Sequence, residues 1–110
     1  MATKQNAIVT GAASGIGKAV AHRLSERGIN VLVADINIDD GVTVSEDLKK
    51  RYNVDSIFVK LDTASEEDAI NMVKTAVDRW GRLDWACNCA GKAEAMRDNE
   101  DDVTKEDFDR

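Results

Sequence analysis

The stretch "VTGAASGIG", Val9–Gly17, places glycines at 11, 15 and 17, a G-x-x-x-G-x-G spacing with three glycines in seven residues. The run before it, "AIVT" (7–10), is β-branched and reads as a strand. After it, Ile16, Val20 and Leu24 recur at four-residue steps, the repeat of one helix face, and Gly28 stands where a helix C-terminal glycine belongs. A strand, a glycine turn and a helix in that order set the demand on each glycine. Gly11 lets the chain turn sharply off the strand, Gly15 admits an anion close to the backbone, and Gly17 lets the helix pack near the sheet.

The rest of the chain repeats the alternation. "NVLVAD" (30–35) and "SIFVKLD" (56–62) read as strands, and the apolar "WACNCAG" (85–91) as a fourth. A helix is predicted around 40–51, with Val44 and Leu48 on one face and "KKR" at its end, where cations suit the helix dipole. A third opens on a capping-box-like Ser65 and Asp68, carries the stripe Ala69, Val73, Ala76, Val77 and Trp80, and stops at Gly81. This pattern predicts an α/β fold: a doubly wound, Rossmann-type parallel sheet, incomplete, with strand order 3-2-1-4. The first two helices then cover one face and the third crosses to the other. That second face is left undercovered.

Composition narrows the class. At 110 residues the chain is at most one small domain, with 43% hydrophobic and 33% charged residues. A formal charge of -6 argues against nucleic acid and anionic membranes as partners, since both need cationic faces. "MATKQNAIV" lacks the apolar core of a signal peptide, and no run is long enough to span a bilayer. Two cysteines cannot frame a disulfide scaffold and suit a reducing compartment, so the expected location is cytoplasmic. Cys87 and Cys89 point to one face of their strand, but two thiols are not a zinc site, and core thiols are the expectation. His22 lies off the Ile16–Val20–Leu24 stripe and is expected at the surface. Trp80 and Trp85 bracket the turn into the fourth strand, where packing explains both.

The free N–H groups of the first helical turn, around Ile16 and Gly17, suit a pyrophosphate, with the Ser14 hydroxyl as an added donor. Asp35 ends the second strand eighteen residues past Gly17, with Ile36 after it. A carboxylate there accepts from both ribose hydroxyls and repels a 2′-phosphate. No Arg or Lys follows at 36–38, so NAD is favoured over NADP as the cofactor; Lys18 reads as a solvated charge. Asp62 closes the third strand and has two readings. It accepts from the adenine amino group, or it caps the "TASEED" turn with Thr63.

"TGAASGIG", Asp35, "LDT" (61–63) and "NCAG" (88–91) together resemble the N-terminal half of the short-chain dehydrogenase/reductase family. The resemblance covers nearly the whole chain. It implies that Gly11, Ser14, Gly15, Ile16 and Gly17 cradle the cofactor pyrophosphate, and that Asp35, beside Ile36, selects NAD. Asp62 and Thr63 would lie beside the adenine, while Asn88, Ala90 and Gly91 border the cofactor. The family's Asn-Asn-Ala-Gly departs here to Asn-Cys-Ala-Gly. If Asn88 keeps the structural hydrogen bond, Cys89 is a tolerated small residue; otherwise the geometry at the nicotinamide side departs from the family's.

The family is known for a catalytic tyrosine with a lysine four residues later, plus a serine and an asparagine. This chain has one tyrosine, Tyr52, with Ser56 four residues on, and Tyr52 falls at the amino ends of the strands. It is rejected as catalytic. The resemblance places every catalytic position beyond Arg110, so no catalytic residue is assigned. Residues 1–92 are expected to form the dinucleotide-binding portion, and 93–110 an acidic segment leading into a helix that starts near Thr104, Asp107 and Phe108, or a frayed terminus. The chain alone is expected to be marginally stable and without turnover, and the full-length family member a homo-oligomer. Two alternatives stand beside this: a non-catalytic dinucleotide-binding or interaction module, and half of an S-adenosylmethionine-dependent methyltransferase. The Gly11–Gly15 step and "NCAG" favour the dehydrogenase over the latter.

Overall fold

The computed structural model describes residues 4–89. Within them the order is β1 (Asn6–Thr10), α1 (Gly15–Glu26), β2 (Asn30–Asp35), α2 (Ile38–Tyr52), β3 (Ser56–Lys60), α3 (Glu66–Trp80) and β4 (Trp85–Asn88). The strands are all parallel and lie in the order β3-β2-β1-β4. This is the doubly wound, Rossmann-type arrangement that the alternation predicts. Residues 93–110, with the expected helix start, lie outside the described residues.

Strand pleating divides the core in two. Val9, Val31 and Val33 pack with Ala21 of α1 and with Val44 and Leu48 of α2. Their neighbours Ile8, Leu32 and Ala34 point the other way and pack with Met72 and Ala76 of α3. Strands buried on both faces need unbroken apolar runs rather than alternation, which is why β1 and β2 read as they do.

The helices correct several details of the sequence reading. In α1 the inward line is Gly17, Ala21 and Ser25, one residue round from the expected stripe. Val20 and Leu24 flank it, and Ile16 is 61% exposed. Small residues win this face because α1 lies so close to the β1 turn that a Cβ on Gly17 would stand 2.1 Å from the Gly11 carbonyl oxygen. Helix α2 starts two residues before the expected position, capped by Asn37, whose side chain accepts from the Asp40 N–H. In α3 the Ser65 cap is present, but the Asp68 carboxylate turns to the Asp62 N–H rather than back to Ser65. Met72 and Ala76 are its buried residues, while Ala69, Val73 and Val77 of the expected stripe are exposed. Trp80 is half-buried, whereas Trp85 is 44% exposed on β4. Among the described residues α3 is the sole helix on its face. Among the described residues the second face is thus undercovered.

A polar network laces the amino ends of the strands. The Asn30 amide donates to Asn6 Oδ1 (2.9 Å), and Asn30 Oδ1 accepts from the Asp55 N–H (2.9 Å). Asn6 in turn donates its backbone N–H to Asp84 and its side-chain amide to the Arg82 carbonyl. His22 is a correction of another kind: its side chain is only 18% exposed, and Nδ1 lies 2.8 Å from the Tyr52 hydroxyl. Its place in the α1–α2 contact follows from Tyr52 reaching across the end of α2. Neither was visible along one helix.

Candidate functional site

At the opposite, carboxyl ends of the strands, three loops converge. Gly11 leaves β1 with φ +66° and Gly15 enters α1 with φ +58°, both in the region that favours glycine. A Cβ on Gly15 would meet nothing within 4 Å, so the backbone there borders open space. The three helix starts differ in how they are closed. Asn37 and Ser65 cap α2 and α3 with their side chains, and acidic residues fill both first turns. Ser14 stands at the N-cap of α1 but makes no side-chain capping bond, and the first turn of α1 has no acidic residue. Among the described helix starts, that of α1 is thus the one with neither a capping side chain nor an acid in its first turn, which suits an anion.

Asp35 sits where the loops meet. Its carboxylate accepts from the Ala13 N–H (Oδ2, 3.0 Å) in the glycine loop and from the Asn37 N–H (Oδ1, 2.9 Å) at the start of α2. Its backbone carbonyl accepts from the Leu61 N–H at 3.0 Å. A carboxylate has about four acceptor positions, so two bonds leave room for a ribose diol. Ile36 and Ile38 beside it are exposed apolar residues, and Lys18 is solvent-exposed. Asp62 makes the bond of the turn reading, its Oδ1 accepting from the Ala64 N–H at 2.9 Å, and its exposed carboxylate keeps acceptor positions for an adenine amino group.

On the β4 side, the Thr10 hydroxyl donates to Asn88 Oδ1 (2.8 Å) and accepts from the Cys89 N–H (3.1 Å). Asn88 thus keeps a structural hydrogen bond, and Cys89 contributes its backbone. Both cysteines are half-buried against the α1–α2 side of the core, and burial pushes the Cys89 thiol up from its ordinary value. From this end a largely apolar cleft of about 280 Å³ runs down the α3 face, lined in part by Thr10, Thr63, Met72, Val73 and Asn88.

The structure therefore gathers Gly11, Ser14, Gly15, Ile16, Gly17, Asp35, Ile36, Asp62, Thr63 and Asn88 at the loops beyond the carboxyl ends of the strands. Ala90 and Gly91 lie outside the described residues. Sequence reasoning missed Thr10, Ala13 and Asn37. For Thr10 the signal was a hydroxyl residue ending a strand directly before the turn glycine; Ala13 acts through its amide, which leaves no trace in sequence. Tyr52 lies at the other end of the sheet, bonded to His22.

Residues 5–110 match the family model described as short chain dehydrogenase. The chain is 41% identical over 90 residues to the 3-hydroxyacyl-CoA dehydrogenase type-2 of Drosophila melanogaster, covering 82% of this chain and 34% of that protein. It is 39% identical over 90 residues to tropinone reductase-like 1 of Erythroxylum coca, covering 82% and 32%. Among solved structures, L-sorbose reductase of Gluconobacter frateurii, complexed with NADPH and L-sorbose, superposes with a TM-score of 0.78 at 27% identity, over 82% of this chain and 34% of that one. The Escherichia coli hydroxysteroid dehydrogenase gives 0.77 at 30% identity, over 82% and 38%. The chain thus spans about a third of the length of these relatives. With the 3-2-1-4 sheet and the glycine turn in place, the chain belongs to the short-chain dehydrogenase/reductase family.

Proposed function

We propose that this chain binds NAD(H) in preference to NADP(H), as the cofactor-binding portion of an oxidoreductase that moves a hydride between the cofactor and an alcohol or carbonyl. The observation that carries the reading is the start of α1, with neither a capping side chain nor an acid in its first turn, set behind a glycine turn and beside Asp35. The residues fit the group. The α1 amides and Ser14 would hold the pyrophosphate, Asp35 the adenosine ribose, and Asp62 and Thr63 the adenine side. Asn88, fixed by Thr10, would border the nicotinamide end together with Ala90 and Gly91. The bound cofactor supplies or accepts the hydride; the chain's residues orient it.

Preference for NAD rests on charge. A 2′-phosphate would meet the Asp35 carboxylate, with Ile36, Asn37 and Ile38 following and no cation among them to offset the repulsion. The NADPH complex of L-sorbose reductase belongs to that protein. Proton transfer to the substrate is assigned to residues outside this sequence, because its single tyrosine, Tyr52, has Ser56 rather than lysine four positions on. The chain alone is accordingly proposed to lack turnover.

Fluorescence titration of the purified chain with NADH and NADPH tests this. NADH is expected to bind about tenfold tighter or better. Equal affinities would overturn the NAD preference, and binding of neither would overturn the cofactor assignment. Steady NADH formation from NAD and an alcohol by this chain would overturn the placement of the catalytic residues.

A further inference from the structure

Asp35 makes more contacts than a ribose acceptor needs. Its carboxylate bonds the Ala13 amide, one residue before the N-cap of α1, and the Asn37 amide, which is the N-cap of α2. The backbone on either side is fixed to the same point: the Ala12 N–H donates to the Ala34 carbonyl at 3.2 Å, and the Leu61 N–H to the Asp35 carbonyl at 3.0 Å. Ala13 is buried, and its N–H cannot turn to solvent without moving the loop. The segment between Gly11 and Gly15, both at positive φ, also buries Ala12 in the core beside Gly17. To that packing the Asp35 carboxylate adds a charge-assisted bond that holds the Ala13 amide in place and so helps set how the glycine loop is presented.

We propose that Asp35 is a positioning residue for the glycine loop: its carboxylate fixes the Ala13 amide before a cofactor arrives, so ribose recognition and loop geometry depend on one side chain. The proposal rests on the dinucleotide reading for its effect on binding, while the loop geometry stands on the two amide bonds. One consequence concerns cofactor preference. Replacing Asp35 to admit a 2′-phosphate also releases the loop, so the change lowers affinity for every ligand that uses the loop and does not simply exchange one cofactor for the other.

The test compares the unaltered chain with D35A and D35N, using NADH and reduced nicotinamide mononucleotide, a fluorescent probe that lacks the adenosine half. Amide hydrogen exchange at Ala13 is measured without ligand. In D35A, Ala13 exchange is expected to accelerate about tenfold or more, and affinity for the mononucleotide to fall about tenfold alongside that for NADH. In D35N the side-chain oxygen can still accept from one amide, so exchange and mononucleotide affinity should fall between the two. Loss of NADH affinity with unchanged mononucleotide affinity and unchanged Ala13 exchange would overturn the proposal. If the unaltered chain binds neither ligand, the dinucleotide reading fails, and the exchange comparison alone decides the positioning role. Protection at Leu32 reports an intact sheet; should D35A lose it, D35N carries the same comparison.

Discussion

Arg79 grips Asp55 through two parallel bonds, Nε to Oδ2 at 2.7 Å and Nη2 to Oδ1 at 2.8 Å, and so ties the last turn of α3 to the residue before β3. Trp80 adds an indole N–H to the same Oδ2 at 2.7 Å. The Asp55 backbone N–H meanwhile donates to Asn30. One residue thus joins α3, β3 and β2 at the end of the sheet away from the candidate site.

Arg79 beside it, with Trp80 adding to the effect, holds the Asp55 carboxyl down to about 2. A folded-state value below the unfolded one, about 3.9, means stability is fully present above pH 4 and is lost as pH falls toward 2. The pair is partly exposed, so screening limits its contribution to about 1 kcal/mol. Denaturant unfolding at pH 6 and pH 3 should show the D55N deficit relative to the unaltered chain shrinking at the lower pH. A deficit independent of pH would contradict this.

Gly17 and Gly15 should respond differently to alanine. A Cβ at 17 would stand 2.1 Å from the Gly11 carbonyl oxygen, a backbone atom that cannot move alone, and G17A should cost about 1–3 kcal/mol. At 15 the space is open, and G15A should cost about 1–2 kcal/mol from its positive φ alone, while obstructing an anion at the loop. Urea midpoints check the first statement, and NADH titration of G15A the second.

Gly41 is a glycine inside α2, where helix propensity favours alanine by about 1 kcal/mol. The Phe58 ring of β3 explains it, since its Cε1 would lie 2.1 Å from an added Cβ. G41A should therefore be destabilising by about 1–2 kcal/mol. In an F58L background the same change should be neutral or stabilising, a non-additivity that a double-mutant cycle measures.

Ser25 is buried in α1, and its Oγ has no hydrogen-bond partner among the described residues. S25A removes an unsatisfied hydroxyl and adds a better helix former, so it should raise stability by about 0.5–1 kcal/mol. A lower thermal midpoint for S25A would argue that the hydroxyl has a role.

Much of this architecture is local and therefore legible in sequence. β-branched runs, the glycines at 11, 28 and 81, and the Ser65 cap each act within a few residues, and they suffice for the four parallel strands and three helices of the described residues at nearly the expected bounds. Handed crossovers then fix the strand order. Asp35 too could be placed at the carboxyl end of β2 by counting.

Tertiary structure decided what depends on approach between distant elements. Which line of α1 faces inward was set by the Gly17–Gly11 contact, because small residues win wherever a helix sits hard against a turn. The amino-end network joins Asn6, Asn30 and Asp55 across 24 or 25 residues of sequence at a time, a separation at which polar residues carry no periodic signal. Likewise the ribose candidate Asp35 proved to hold the Ala13 amide, 22 residues earlier, since a backbone N–H has no letter in the sequence and its partner is known only once the loop is folded.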